Sequence, residues 1–158
     1  MSPRAVVILI ENDRVALIER NREGHHYFTF PGGGVDEGET PEQTAVREAK
    51  EELGLDVVLR KLVAEIWFMG KPQLYYLAES VGGTFGPGTG PEMTTPYPGR
   101  GTYRAIWMPI TEILDQPVLP RPMAELLVRA RQSGWPDPYP VIHEDHAHPA
   151  HPSSLHGA

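Results

Sequence analysis

Between Thr40 and Gly54 the chain carries the signals of a helix with both ends specified, and this segment constrains everything around it. Thr40 suits the N-cap, Pro41 the first helical position, and Gln43 completes a capping box three residues after the cap. Gly54 stands where a left-handed residue closes a helix. At helical period Ala45, Val46, Ala49 and Leu53 fall within an arc of about 100°, which predicts the buried face. Glu48 and Glu52 are four apart and lie one above the other. Glu51 lies about 60° further round. The three carboxylates therefore form an acidic strip that borders the apolar face.

Charge runs on helices are ordinarily solvated surface. Arg47 with Glu51, and Lys50 with nearby acids, would then give i,i+4 support of a few tenths of a kcal/mol, ~0.2–0.5 per pair. Three features argue for more. The acids crowd together and repel one another unless a cation sits among them. They border the buried face, at a rim where a pocket can open. A glycine-rich turn, Pro31-Gly32-Gly33-Gly34, precedes them and lets backbone approach a ligand closely.

The segment from Gly33 to Leu55 resembles the box of the Nudix hydrolases, G-x5-E-x7-R-E-U-x-E-E-x-G-U, where U is bulky and aliphatic. Gly33, Glu39, Arg47, Glu48, Glu51, Glu52, Gly54 and Leu55 all match, and only the first U, Ala49, is small. The resemblance extends over about residues 4 to 133. It implies an α/β fold, a Nudix-like α/β/α sandwich with a central mixed β-sheet. It also implies Mg2+ (Mn2+ as the alternative) held by Glu48, Glu51 and Glu52. Arg47 would orient those acids without touching substrate, and Glu39 would be an outer partner. The backbone at Gly33 and Gly34 would supply a carbonyl ligand or shape the diphosphate pocket. A further acid from outside the box is commonly recruited in this family, and Glu92 is the candidate. A homodimer is a common state in the family.

Composition narrows the partners. The formal charge of −7 over 158 residues argues against a binder of nucleic acid polymer or of an anionic membrane. A small phosphorylated nucleotide delivered with metal is compatible. No cysteine is present, which excludes thiol catalysis and a disulfide framework. The apolar run Val6 to Ile10 is too short for a signal peptide, and no run approaches the ~20 apolar residues of a membrane span. The chain reads as cytoplasmic.

Along the chain, Ala5 to Ile10 and Val15 to Ile18 read as strands joined at Asn12-Asp13. Glu19 to His26 reads as a loop, Tyr27 to Phe30 as a short strand, Val57 to Phe68 as a long or broken strand, and Gln73 to Ala78 as its partner across Gly70-Lys71-Pro72. Tyr103 to Met108 reads as a strand, Thr111 to Leu114 as a short helix, and Arg121 to Arg131 as an amphipathic helix with Leu126, Leu127 and Val128 facing in. Trp67, Phe68, Tyr75, Tyr76 and Trp107 are predicted mostly for the core. Residues 82 to 101 are rich in glycine and proline, and long loops of this kind are commonly functional or disordered, so a flexible surface insertion is the plain reading. A lid carrying Glu92, with Phe85 or Tyr97 near a base or sugar, is the sharper reading of them. Arg20, Arg22, Arg100 and Arg104 are the cations in or beside loops, and Arg20 and Arg104 are the candidates for substrate phosphate. One domain is expected over residues 1–135. From Pro136 a Pro/His-rich tail follows, with His143, His146, His148, His151 and His156, read as solvated.

The expected activity is Mg2+-dependent cleavage of a phosphoanhydride in a nucleoside diphosphate linked to another moiety, with a nucleoside triphosphate as one such substrate. The competing class is a catalytically silent module that senses a nucleotide or a partner.

Overall fold

The computed structural model describes residues 2–86 and 101–144. Strand β1 (Arg4–Glu11) lies at the centre, and its five residues Ala5 to Leu9 are at most 2 % exposed. Burial on both faces explains why it reads as an unbroken aliphatic run. β1 turns through Asn12 and Asp13 into β2 (Arg14–Arg22), followed by β3 (His25–Thr29) and β4 (Gly32–Gly34). Helix α1 (Pro41–Leu53) comes next, then the long pair β5 (Leu55–Phe68) and β6 (Lys71–Gly83). After β7 (Thr102–Pro109) come a 3-10 helix (Ile110–Asp115), β8 (Val118–Leu119), helix α2 (Arg121–Ser133) and β9 (Val141–His143).

The strands form one mixed sheet in two halves. In one half β1 is parallel to β6, β5 is antiparallel to β6, and β9 adds in parallel to β5. In the other, β2 is antiparallel to β3 and β7, and β8 is parallel to β3. The halves are stitched where β1 and β2 pair, at Ile10–Val15 and Glu11–Arg14. Beyond that the strands part, and the opening between them holds the site described below.

Alternation along the strands builds two cores. Val6 and Ile8 pack with Met123, Leu126 and Leu127 of α2. Ala5, Val7 and Leu9 pack with Ala45, Ala49 and Leu53 of α1. A helix on each face of a central mixed sheet is the α/β/α sandwich the resemblance implied. Each large aliphatic side chain so buried contributes roughly 1.5–3 kcal/mol.

Several local readings need correction. β2 continues to Arg22 and β3 begins at His25, so the segment read as a loop shrinks to a turn at Glu23–Gly24, where φ is 53° and 81°. The β5–β6 turn is at Met69–Gly70, with φ of 54° and 78°, one step earlier than expected. The glycine run is not a turn. It is strand β4, paired antiparallel to β1 through Arg4–Gly34, Ala5–Gly33 and Val6–Gly32. Val46 is 39 % exposed, and Thr44 is buried in its place. The buried columns of α1 are Thr44–Glu48–Glu52 and Ala45–Ala49–Leu53, so the helix is rotated to carry two of its acids inward. Val128 is only partly buried against the α2 core. Residues 141–143, expected in the tail, form a sheet strand, and Glu65 N–H donates to the carbonyl of Pro140 at 3.0 Å. Glu92, Tyr97, Arg100 and the four later tail histidines lie outside the described residues. Phe85 stacks on Trp107 at 4.7 Å, away from the opening between the sheet halves.

Both ends of α1 are closed as the sequence predicts. Thr40 Oγ1 accepts from Gln43 N–H at 3.1 Å, and Gln43 Oε1 accepts from Thr40 N–H at 2.9 Å. Gly54, at φ 78°, donates to Lys50 O at 3.0 Å. Thr40→Ala should lower unfolding free energy by ~1 kcal/mol. Gly54→Ala should cost more, because its β-carbon would stand 2.3 Å from Thr84 O. Urea denaturation of the two variants measures both, and equal effects would contradict this account.

Candidate active site

Two hollows occupy the opening between the sheet halves. The smaller, of about 240 Å3, is lined by Gly32, Gly33, Glu48, Glu51 and Glu52 together with Arg4, Arg20 and Tyr103, and Arg4 Nη2 donates to the Gly32 carbonyl at 3.4 Å. The larger, of about 400 Å3, lies beyond Arg4, Arg20, Thr29 and Phe30, which border both. Its remaining wall comes from Tyr27, from the β5–β6 hairpin tip at Phe68, Met69 and Lys71, from Gln73 and Tyr75, and from Leu119 and Pro120.

The acidic side is built from α1 and β4. Glu48 and Glu52 are each 8 % exposed, and charges that deep must be paired or ligated. Glu52 Oε1 accepts from the Gly32 N–H at 2.9 Å. Glu48 Oε2 is 3.0 Å from Arg47 Nη1. The glycines make room for this. A β-carbon on Gly33 would stand 2.2 Å from Glu48 Oε2, and one on Gly32 would stand 2.5 Å from Ala5 O. Gly34 is exposed, meets nothing within 4 Å and lines neither hollow.

Arg47 gathers the acids. Its Nε and Nη2 donate to the two oxygens of Glu39 at 2.7 and 3.0 Å, a bidentate pair. Its Nη1 donates to Glu48 and, at 3.2 Å, to Glu51, while Asp36 lies 3.4 Å from Nη2. Thr44 Oγ1 also donates to Glu39, at 2.7 Å. The bond from Arg47, with the Thr44 hydroxyl behind it, holds the Glu39 carboxyl down at about 2 against an ordinary 4.5. The same pairing, Glu39 first, pushes the Arg47 guanidinium above its usual range.

The donor set suits a hard divalent cation: carboxylates only, beside a backbone cradle that a β-carbon would fill. Among the described residues, however, no three acidic or histidine side chains already stand together as a cage. Glu48 meets Arg47, and Glu52 accepts from the Gly32 N–H.

The cations were only partly legible. Arg20 borders both hollows, with its guanidinium 4.3 Å from the Tyr103 ring and bonded to the Tyr103 hydroxyl. Arg104 lines neither hollow and pairs with Glu19 at 2.6 Å on the exposed side of β7. Arg22 lines neither as well and lies 3.9 Å from Glu23. Sequence reasoning missed Arg4, Lys71 and Gln73 because it looked for ligand-binding groups in loops, whereas these sit at strand ends. Alternation was the available signal, since it sets Arg4 on the face of Val6 and Ile8, and Gln73 on that of Tyr75.

The NUDIX domain profile matches residues 1–129. In sequence the chain is 52 % identical over 50 residues to an RNA pyrophosphohydrolase of Pseudoalteromonas translucida (strain TAC 125), a match covering 32 % of this chain and 29 % of that protein. It is 48 % identical over 59 residues to an RNA pyrophosphohydrolase of Vibrio atlanticus (strain LGP32), covering 37 % and 34 %. The chain thus spans about a third of the length of these curated relatives. In fold it is similar to an ADP-ribose pyrophosphatase from Streptococcus suis 89-1591, with a TM-score of 0.65 and 19 % identity over 90 % of this chain and 98 % of that one. A NUDIX hydrolase from Nitrosomonas europaea gives a TM-score of 0.67 and 21 % identity, over 91 % and 81 %.

Two outcomes test this geometry. The stability drawn from Glu39 is complete above its ordinary value of 4.5 and drains as pH falls towards 2. Glu39→Gln should therefore flatten the fall in melting temperature across that window. Separately, Mg2+ should raise the melting temperature of the wild type by binding the folded state alone. Gly33→Ala, which displaces the Glu48 carboxylate, should remove most of that rise, and an undiminished rise would count against the cradle.

Proposed function

The chain belongs to the NUDIX family, and from that premise we propose that it hydrolyses a phosphoanhydride bond in a nucleotide-type substrate with Mg2+, Mn2+ being the alternative ion. Nudix hydrolases generally use divalent metal ions. The observation that carries the reading is the mixed charge of one hollow: Glu48, Glu51 and Glu52 line it together with Arg4 and Arg20, and an apolar-walled hollow adjoins it.

Glu48, Glu51 and Glu52 would hold the metal. Bound there, a divalent cation neutralises phosphate oxygens and makes a water more acidic. Arg47 holds Glu39, Glu48 and Glu51 in place without lining either hollow. Arg4 and Arg20 are set to bind phosphate oxygens as charge shifts onto them, and phosphoryl transfer depends mainly on such positioning and charge stabilisation. Arg20 is preorganised for this by the Tyr103 ring and hydroxyl. The larger hollow takes the rest of the nucleotide.

The relatives named RNA pyrophosphohydrolase favour a second substrate form, the 5′ phosphate end of an RNA. A chain of charge −7 makes few contacts to a polymer backbone, but an end needs only the phosphate site. We place a free nucleotide first and a homodimer as the assembly to test. Among the described residues no helix is long and apolar enough to cross a membrane.

A panel of nucleoside triphosphates, ADP-ribose, nucleotide sugars, dinucleoside polyphosphates and a 5′-triphosphate RNA, each with Mg2+ and with chelator, tests the proposal. Metal-dependent release is expected from at least one. Glu52→Gln should lower kcat roughly a hundredfold or more, and Arg4→Ala should lower kcat and kcat/KM together. Absence of metal-dependent release across the panel would favour the silent sensing module.

A further inference from the structure

Six large apolar side chains are exposed among the described residues: Val46, Val58, Met69, Val81, Tyr139 and Val141. Scattered exposed apolar groups are ordinary on a protein surface. Met69 differs from the other five in lining a hollow, the larger one, where it stands at the tip of the β5–β6 hairpin and is 45 % exposed. Phe30, Phe68, Leu119 and Pro120 continue the apolar wall beside it.

The backbone at that tip disfavours a methionine. Phe68 and Lys71 close the hairpin, and the two residues between them, Met69 and Gly70, have φ of 54° and 78°. A two-residue turn with both φ positive favours Asn or Asp before Gly, because their short side chains tolerate the left-handed region. The β1–β2 turn follows that preference with Asn12 and Asp13, at φ 53° and 60°. The β2–β3 turn departs from it, with Glu23 at φ 53° before Gly24. Glu23, however, is polar, exposed and lines neither hollow. Strained backbone of this kind gathers at ligand clamps. At Met69 it coincides with an exposed apolar group on a hollow of about 400 Å3, a volume that suits a small ligand.

Methionine is unbranched and adapts its shape, and its thioether packs favourably against aromatic rings. Its sulfur accepts hydrogen bonds only weakly and donates none, so it can hold a ring without reading the ring's edge. The polar lining, with Thr29 and Gln73 beside the cations Arg4, Arg20 and Lys71, gives a phosphorylated ligand charge partners and singles out no one base. Resting on the nucleotide reading above, we propose that Met69 is a ligand-contact residue that grips the nucleoside part of the substrate by apolar contact, without choosing among bases, and that its unfavourable turn position serves that contact.

Calorimetry with AMP, GMP and ribose 5-phosphate, beside thermal melting, tests this without turnover. The wild type should bind AMP and GMP within about threefold of one another, and both more tightly than ribose 5-phosphate. Met69→Asn should raise the melting temperature by about 2–4 °C. The same variant should weaken AMP and GMP by about fivefold or more and leave ribose 5-phosphate unchanged. Met69→Leu, apolar and of similar volume, should keep nucleotide affinity within about twofold and melt with the wild type. Glu23→Asn is the control: it should also raise the melting temperature and leave every affinity unchanged. Because Met69→Asn is expected to be the more stable protein, its lost binding is not misfolding. AMP and GMP binding no tighter than ribose 5-phosphate overturns the proposal, as does a larger preference for one base. A Met69→Asn protein that binds AMP like the wild type, or that melts below it, overturns it too. Nucleotide binding weakened by Met69→Asn in a protein that hydrolyses nothing supports this inference and removes the hydrolase reading. Metal-dependent hydrolysis whose KM is unmoved by Met69→Asn does the reverse.

Discussion

One guanidinium holds the acidic side of this protein together. Five carboxylates, those of Asp36, Glu39, Glu48, Glu51 and Glu52, crowd the start and inner face of α1, and two of them are nearly buried. Left alone, they would repel one another and favour exposure. Arg47 meets four of them, and its bidentate pair with Glu39 ties the loop before the helix to the second turn of the helix. Its planar fork suits this task where a lysine would offer only a point charge. The fifth, Glu52, is met from the other side by the Gly32 N–H. Each carboxylate thus meets a donor of the protein itself, which lets the acids stand at the rim of a hollow.

That balance depends on backbone that lacks side chains. β4 lies against β1 and under α1, so close that a β-carbon at Gly32 or Gly33 would collide with Ala5 O or with the Glu48 carboxylate. The glycines therefore act as spacing elements. They let a strand, a helix and two carboxylates converge where any other residue would push them apart. The opening follows from the same topology, because β1 and β2 pair at one end and diverge towards the site. Acids from α1 and cations from β1 and β2 then line the same hollow.

Much of this was legible beforehand. The caps of α1 are local chemistry, and Thr40, Gln43 and Gly54 act as their positions imply. The aliphatic run of β1 announced a strand, and the structure showed it buried on both faces. Less legible was which helix face turns inward. Apolarity alone favoured Val46, but Val46 is exposed and the column of Thr44, Glu48 and Glu52 is buried. A threonine can be buried there because its hydroxyl is satisfied by Glu39 and by the Thr40 carbonyl. Such satisfaction depends on a partner five residues away in another conformation, which hydrophobic periodicity does not register. Loops were overestimated for a related reason: polar residues such as Glu19 to Asn21 continue β2 because β3 and β7 pair with them on both sides.

What the sequence determined by itself is the short-range chemistry: a capped helix, a glycine-spaced approach to it, and the residue types able to balance or bind charge at fixed helical spacing. These follow from interactions within a turn or two of chain, where separation in sequence sets separation in space. Tertiary structure alone decided which cations share a hollow with those acids. Arg4 joins Arg20 at the opening while Arg104 is turned away to Glu19, although all three are strand arginines. It also decided that Tyr27 and Gln73 share a hollow with Lys71. Strand pairing brings such residues together from distant parts of the chain, and register and twist set the face each presents, so no local pattern can encode the meeting.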